Sequence, residues 1–94
     1  MKEKIYESDL KKIYKHFGAK AQVEKLVEEI NELINEIKKT PIDYESFFWE
    51  CADVFIMLYQ FALHDEDFNQ KILFKIDRTL DRIKTGYYDK DIKK

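Results

Sequence analysis

The chain of 94 residues holds one proline (Pro41), two glycines (Gly18 and Gly86) and one cysteine (Cys51). A β-sandwich or barrel needs turn residues about every ten positions, and this chain does not have them. Glycine-rich phosphate loops are excluded for the same reason. A lone cysteine has no partner for an intramolecular disulfide, and cysteine-based zinc sites are excluded. An excess of positive charge is missing too. Seventeen Lys and Arg face nineteen Asp and Glu, a formal net charge of −2. There is no global basic field to hold a nucleic acid polymer. The first residues, MKEKIYESDLKK, lack the apolar core of a signal peptide. These absences predict a cytoplasmic, reducing setting with no membrane attachment.

What is present favours helices. Hydrophobic residues make up 45% and charged residues 38%, with Lys, Glu, Ile and Leu prominent. The expected fold class is all-α, a small four-helix bundle-like domain covering residues 1–94. A core this small is marginal alone, so completion by dimerisation is expected.

Four helical segments follow from the spacing. The first runs from about Ser8, as N-cap, to Phe17, with Gly18 as its stop. The residues before Ser8 extend it or fray. The second runs from about Ala19 to Lys39, ahead of Thr40-Pro41. Val23, Leu26, Val27, Ile30, Leu33, Ile34 and Ile37 form its apolar stripe. The third follows Asp43 as N-cap and reaches about His64. The fourth begins near Asp67, where Asp67 and Gln70 have capping-box spacing, and stops at Gly86. Its expected inward positions are Phe68, Ile72, Ile76, Leu80 and Ile83. The tail from Tyr87 is expected to be loose unless Tyr87 and Tyr88 dock.

The third helix is apolar on nearly every side. Between Phe47 and Leu63 the strongly polar residues are Glu50, Asp53 and Gln60, and at about 100° per residue they share one narrow stripe. Such a helix is buried in a bundle or between subunits. Two carboxylates in its first half argue against a membrane span. Ionised carboxylates in an apolar helix need a metal or paired cations, unless their stripe reaches water. The second helix carries a matching pair, Glu29 and Glu32, although a glutamate run also fits a solvent-facing surface. Two helices with carboxylates at i, i+3 can aim four acids at one spot. Such an all-oxygen set suits a hard cation, Mg²⁺ or Mn²⁺. On the fourth helix Lys71, Lys75, Arg78 and Arg82 line one stripe. It fits either a ligand with several phosphates or a solvated face with acidic partners.

E-E-x-x-E on one helix followed by E-x-x-D on the next resembles the signature of the all-α nucleoside triphosphate pyrophosphohydrolases, the MazG-like superfamily. The motifs read Glu28-Glu29-Ile30-Asn31-Glu32 and Glu50-Cys51-Ala52-Asp53. The flanking stretches FGAKAQVEKLVEEINELINEI and ECADVFIMLYQF resemble the same family, so the likeness covers about Phe17 to Arg82. It implies a helical homodimer or dimer of dimers. It implies Mg²⁺ held by Glu29, Glu32, Glu50 and Asp53, with Glu28 as an accessory acid that orients or deprotonates the attacking water. The implied reaction cleaves a (d)NTP between its α and β phosphates, giving a nucleoside monophosphate and pyrophosphate. Lys75, Arg78 and Arg82 become the candidate phosphate clamp. Gln22, with Phe48 or Trp49, becomes a candidate base contact, although core or interface packing also explains these residues.

Two other chemistries are set aside. His64-Asp65 matches the dipeptide of histidine–aspartate phosphohydrolases, but His16 is the only other histidine. A ferritin-like di-iron site needs Glu-x-x-His, and neither histidine has a Glu three residues before it. The reading that competes is a non-catalytic helical dimer that binds a nucleotide or a protein partner.

Overall fold

The computed structural model describes residues 6–89. It contains four helices, α1 (Glu7–Phe17), α2 (Ala19–Ile37), α3 (Tyr44–Ala62) and α4 (Phe68–Lys84), and no strand among the described residues. The all-α class follows from the sequence pattern, and the ends differ in detail. Tyr6, in a left-handed conformation, takes the N-cap place of α1, and no side chain caps that end. Ser8 lies inside the first turn rather than at the cap. Gly18 ends α1 and opens α2 at φ 86°, a backbone region that L side chains rarely adopt. The helix α2 stops at Ile37, two residues short of the expected end.

Asp43 does cap α3. Its Oδ1 accepts from the backbone N–H of Glu45 (3.2 Å) and Ser46 (3.4 Å), and the Ser46 hydroxyl donates to Oδ2 at 2.9 Å. These bonds satisfy N–H groups that a helix start leaves open. Asp67, by contrast, caps α4 without a side-chain hydrogen bond, so the expected capping box with Gln70 does not form. Asp65 takes over the local bonding, accepting from the Asp67 N–H at 3.0 Å and from the Lys71 ammonium.

The described chain divides into two compact units, one ending at His64 and one starting at Asp65. In the first, α1, α2 and α3 pack together, with α2 against α3 as the main contact. The polar pairings run in opposite senses along the two helices, so α2 and α3 are antiparallel. Leu10 of the first helix is buried, and the Tyr59 hydroxyl of α3 ties that helix to α3 by donating to Glu7 Oε2 at 2.9 Å. Tyr14 also meets Phe61 edge to face and lies tilted against His64.

The second unit is α4 and the turn after it. Gly86 at φ 78° lets its own N–H reach the Ile83 carbonyl and the Tyr87 N–H reach the Arg82 carbonyl at 2.9 Å, a Schellman closure. Tyr87 and Tyr88 meet edge to face, and the Arg82 guanidinium lies 4.5 Å from the Tyr87 ring centre. The remainder of the tail, from Lys90, lies outside the described residues. Phe68, Ile72, Ile76, Leu80 and Ile83 are all exposed in the single chain, Leu80 at 58%. The buried apolar residues of the described chain are Leu10, Met57 and Ala62. Much of α3 is open as well, including Phe48, Trp49, Phe55 and Leu58. One chain has too little surface to cover an apolar helix on every side.

Candidate functional site

The helices α2 and α3 place their acidic motifs against one another. Carboxylate oxygens of Glu29, Glu50 and Asp53 all lie within 4.8 Å of one another, as do those of Glu28, Glu29 and Glu32. Glu29 belongs to both groups and is the most enclosed, its side chain only 7% exposed. Helical spacing explains the local arrangement. Residues three apart lie on one face, so the pair on each helix points the same way.

Electrostatics follow from this crowding. Removal from water, with Glu32, Asp53 and Glu29 close by, pushes the Glu50 carboxyl above its usual range. Asp53 is raised as well, by burial first and by Glu29 next, with Lys25 acting in the opposite direction. Glu29 is the acid that acts most on Asp53, and Glu32 the acid that acts most on Glu50. Like charges this close favour the protonated form or a bound cation. Glu29 Oε1 and Glu50 Oε1 are buried and accept no hydrogen bond. Buried polar atoms without partners are uncommon in folded proteins. Oxygen-only donors with open lone pairs suit a hard divalent cation such as Mg²⁺ or Mn²⁺.

The remaining sequence candidates take different places. Glu28 is exposed beside Glu29, and its Oε1 pairs with Lys25 at 3.0 Å. Gln22 is buried, 4% exposed, and its Nε2 donates to Gln60 Oε1 at 2.7 Å. Both amides border a cavity of about 390 Å³ whose walls include Phe17, Lys25, Ile56 and Met57. Phe48 and Trp49 are exposed, and the Trp49 ring N–H donates to Glu45 Oε2 at 3.0 Å, its own neighbour one turn back.

Lys75, Arg78 and Arg82 lie on α4, in the second unit. There the Arg78 guanidinium sits 5.8 Å from the Phe74 ring centre, and its Nε is buried without an acceptor. Two residues stand out that the motifs did not mark. Gln60 is 1% exposed and completes the Gln22 pair. Its place on the Glu50–Asp53 stripe was its one sequence signal. Lys25 enters the acidic centre, 2.9 Å from Glu29 Oε2, and its signal was i, i+4 spacing from Glu29.

Compared with family models, curated proteins and solved structures, the chain has no match. The functional reading therefore rests on the motifs and on this geometry.

Proposed function

We propose that the chain is a nucleoside triphosphate pyrophosphohydrolase of MazG-like type that depends on Mg²⁺ and also accepts Mn²⁺. The supporting observation is the clustering of Glu29, Glu50 and Asp53 across two helices, with Glu32 grouped with Glu28 and Glu29 beside them and with buried oxygens on Glu29 and Glu50 left without partners. A divalent ion bound there supplies neutralisation of phosphate charge and a water of lowered pKa. The chain's own residues do the rest. Glu29, Glu32, Glu50 and Asp53 hold the ion. Glu28, exposed at the edge of the centre, orients the attacking water and accepts its proton at a carboxylate oxygen. The cavity bordered by Gln22 and Gln60 accommodates the nucleoside, with Gln22 as the base contact.

In this reading Lys75, Arg78 and Arg82 supply positive charge to the phosphates. A residue that clamps a remote phosphate in the ground state affects KM first. Arg82→Ala should accordingly raise KM more than it lowers kcat. The exposed apolar residues of α3 and α4 support assembly as a homodimer or a dimer of dimers.

The Lys25–Glu29 ion pair favours one competing reading, a non-catalytic helical dimer in which lysine balances the acids and the protein binds a nucleotide or a partner. A pyrophosphate-release screen across the common (d)NTPs, with and without Mg²⁺, separates the two. The enzyme releases pyrophosphate only with the ion, and the scaffold releases none.

A further inference from the structure

Lys25 borders both halves of the site. Its Nζ lies 2.9 Å from Glu29 Oε2 and 3.0 Å from Glu28 Oε1, and its side chain also lines the cavity beside Gln22, Met57 and Gln60. Among the described residues no other Lys or Arg forms an ion pair with Glu28, Glu29, Glu32, Glu50 or Asp53. The two oxygens of Glu29 are treated unequally. Oε2 meets the ammonium, and Oε1 is buried with no partner. One monovalent cation thus serves a cluster with room for more positive charge.

The attachment of Lys25 is a displaceable one. The side chain is 48% exposed, and i, i+4 pairs on a helix surface are weak. An ammonium is a point charge on a flexible four-carbon stem, without the two-pronged grip of a guanidinium. A divalent ion at Glu29 and an ammonium on the same carboxylate repel each other strongly at a few ångströms.

We propose that Lys25 is an exchangeable counter-ion: it pairs with Glu29 until a divalent ion takes that carboxylate, and then turns its ammonium toward an anionic phosphate group of the ligand in the neighbouring cavity. The proposal rests on the reading of the acidic centre as a divalent-cation site. It adds a phosphate contact on α2, supplied by the helix that carries the E-E-x-x-E motif. The exchange keeps a positive charge on Glu29 at each stage. Lysine offsets the acids first, the divalent ion offsets them next, and the freed lysine meets the charge that the ligand brings.

The test uses the full chain, its Lys25→Met and Lys25→Arg variants, and two probes measured by titration calorimetry at low ionic strength. The first probe is Mn²⁺ alone, and the second is inorganic pyrophosphate with saturating Mn²⁺. Met keeps the stem and removes the competitor, so Lys25→Met should bind Mn²⁺ about five- to tenfold more tightly. Arg grips a carboxylate through two N–H groups, so Lys25→Arg should bind Mn²⁺ more weakly than the unsubstituted chain. Pyrophosphate should bind Lys25→Met several-fold more weakly.

Mn²⁺ affinity that is unchanged or reduced in Lys25→Met overturns the exchange. Tighter Mn²⁺ binding with unaltered pyrophosphate binding overturns the second half, because the lysine then never reaches the ligand. If Lys25→Met does not fold, Lys25→Arg carries the test, and Mn²⁺ affinity equal to that of the unsubstituted chain overturns the proposal. Failure of the unsubstituted chain to bind Mn²⁺ at all overturns the cation centre itself, an outcome distinct from indifference to the Lys25 substitutions.

Discussion

Gln22 on α2 donates a 2.7 Å hydrogen bond to Gln60 on α3, and both amides are buried. This bond states the register of the two antiparallel helices. Two turns further along α2 and two turns back along α3, Glu29 meets Asp53. Three residues beyond, the charge of Glu32 acts on Glu50. A single register therefore pairs the amides and the acids. The Gln60 Nε2 faces Met57 Sδ at 3.7 Å, which leaves Gln60 Oε1 free to accept from Gln22.

The amide pair should be costly to break from one side. Gln60→Leu leaves the Gln22 amide buried without its partner and should destabilise the chain by about 1–3 kcal/mol. The double substitution Gln22→Leu with Gln60→Leu removes both polar groups and should recover much of that loss. Urea unfolding of the three variants checks this. Equal stability of Gln60→Leu and the parent chain would show that the pair does not hold the helices in register.

Asp53→Asn should abolish Mg²⁺-dependent pyrophosphate release while the fold survives. The substitution keeps side-chain size and removes one negative charge from the centre. The expected rate loss is roughly a thousandfold or more. Circular dichroism should match the parent chain, since one of several crowded carboxylates has gone. Full activity in Asp53→Asn would exclude this site.

Stability without metal should depend on pH with a definite sign. Burial and neighbouring carboxylates raise Glu50 and Asp53 above the usual range, so the folded state holds their protons more tightly than the unfolded state. Their destabilising effect is absent below the unfolded pKa, grows as pH rises through the window between the unfolded and folded values, and is complete above the folded value. Asp43 and Asp65 act in reverse. Their lowered values, from Ser46 and Lys71 respectively, add stability that is lost as pH falls through the folded pKa. Comparing melting temperatures of the parent and Glu50→Gln isolates the first effect. The two should agree at acid pH, and the variant should melt higher near neutrality in the absence of divalent ions. Added Mg²⁺ should reverse the order, because ion binding stabilises the parent by mass action.

Oligomerisation should be visible in solution. With Phe55 and Leu58 exposed on α3 and Leu73, Leu80 and Ile83 exposed on α4, light scattering at micromolar concentration should give at least a dimer mass. Phe55→Glu and Leu80→Glu, tested separately, each place a charge on an apolar face and should shift the mass toward the monomer. A monodisperse monomer for the parent chain rules this assembly out.

Helix content was legible because it depends on local properties. Apolar residues at steps of three and four, scarce glycine and a well-placed Asp43 each act within a few residues. Cap details were less legible. Asp67 had the right spacing, yet Asp65 does the bonding, because side-chain geometry at a helix start depends on the incoming turn. The apolar face of α4 is exposed in the single chain. Periodicity identifies an apolar face but does not say whether the same chain covers it.

The sequence by itself determined that the chain is helical and that each of two helices carries carboxylates on one side, since periodicity follows from 3.6 residues per turn. Tertiary structure decided which carboxylates meet. It set Glu29 against Glu50 and Asp53, buried the Gln22–Gln60 pair, and brought Lys25 to Glu29 at the edge of a cavity. Spacing along one helix carries no information about the axial offset of its neighbour. That offset is set by side chains of α2 and α3 packing across their interface, and a shift of one residue would turn the paired acids out of line.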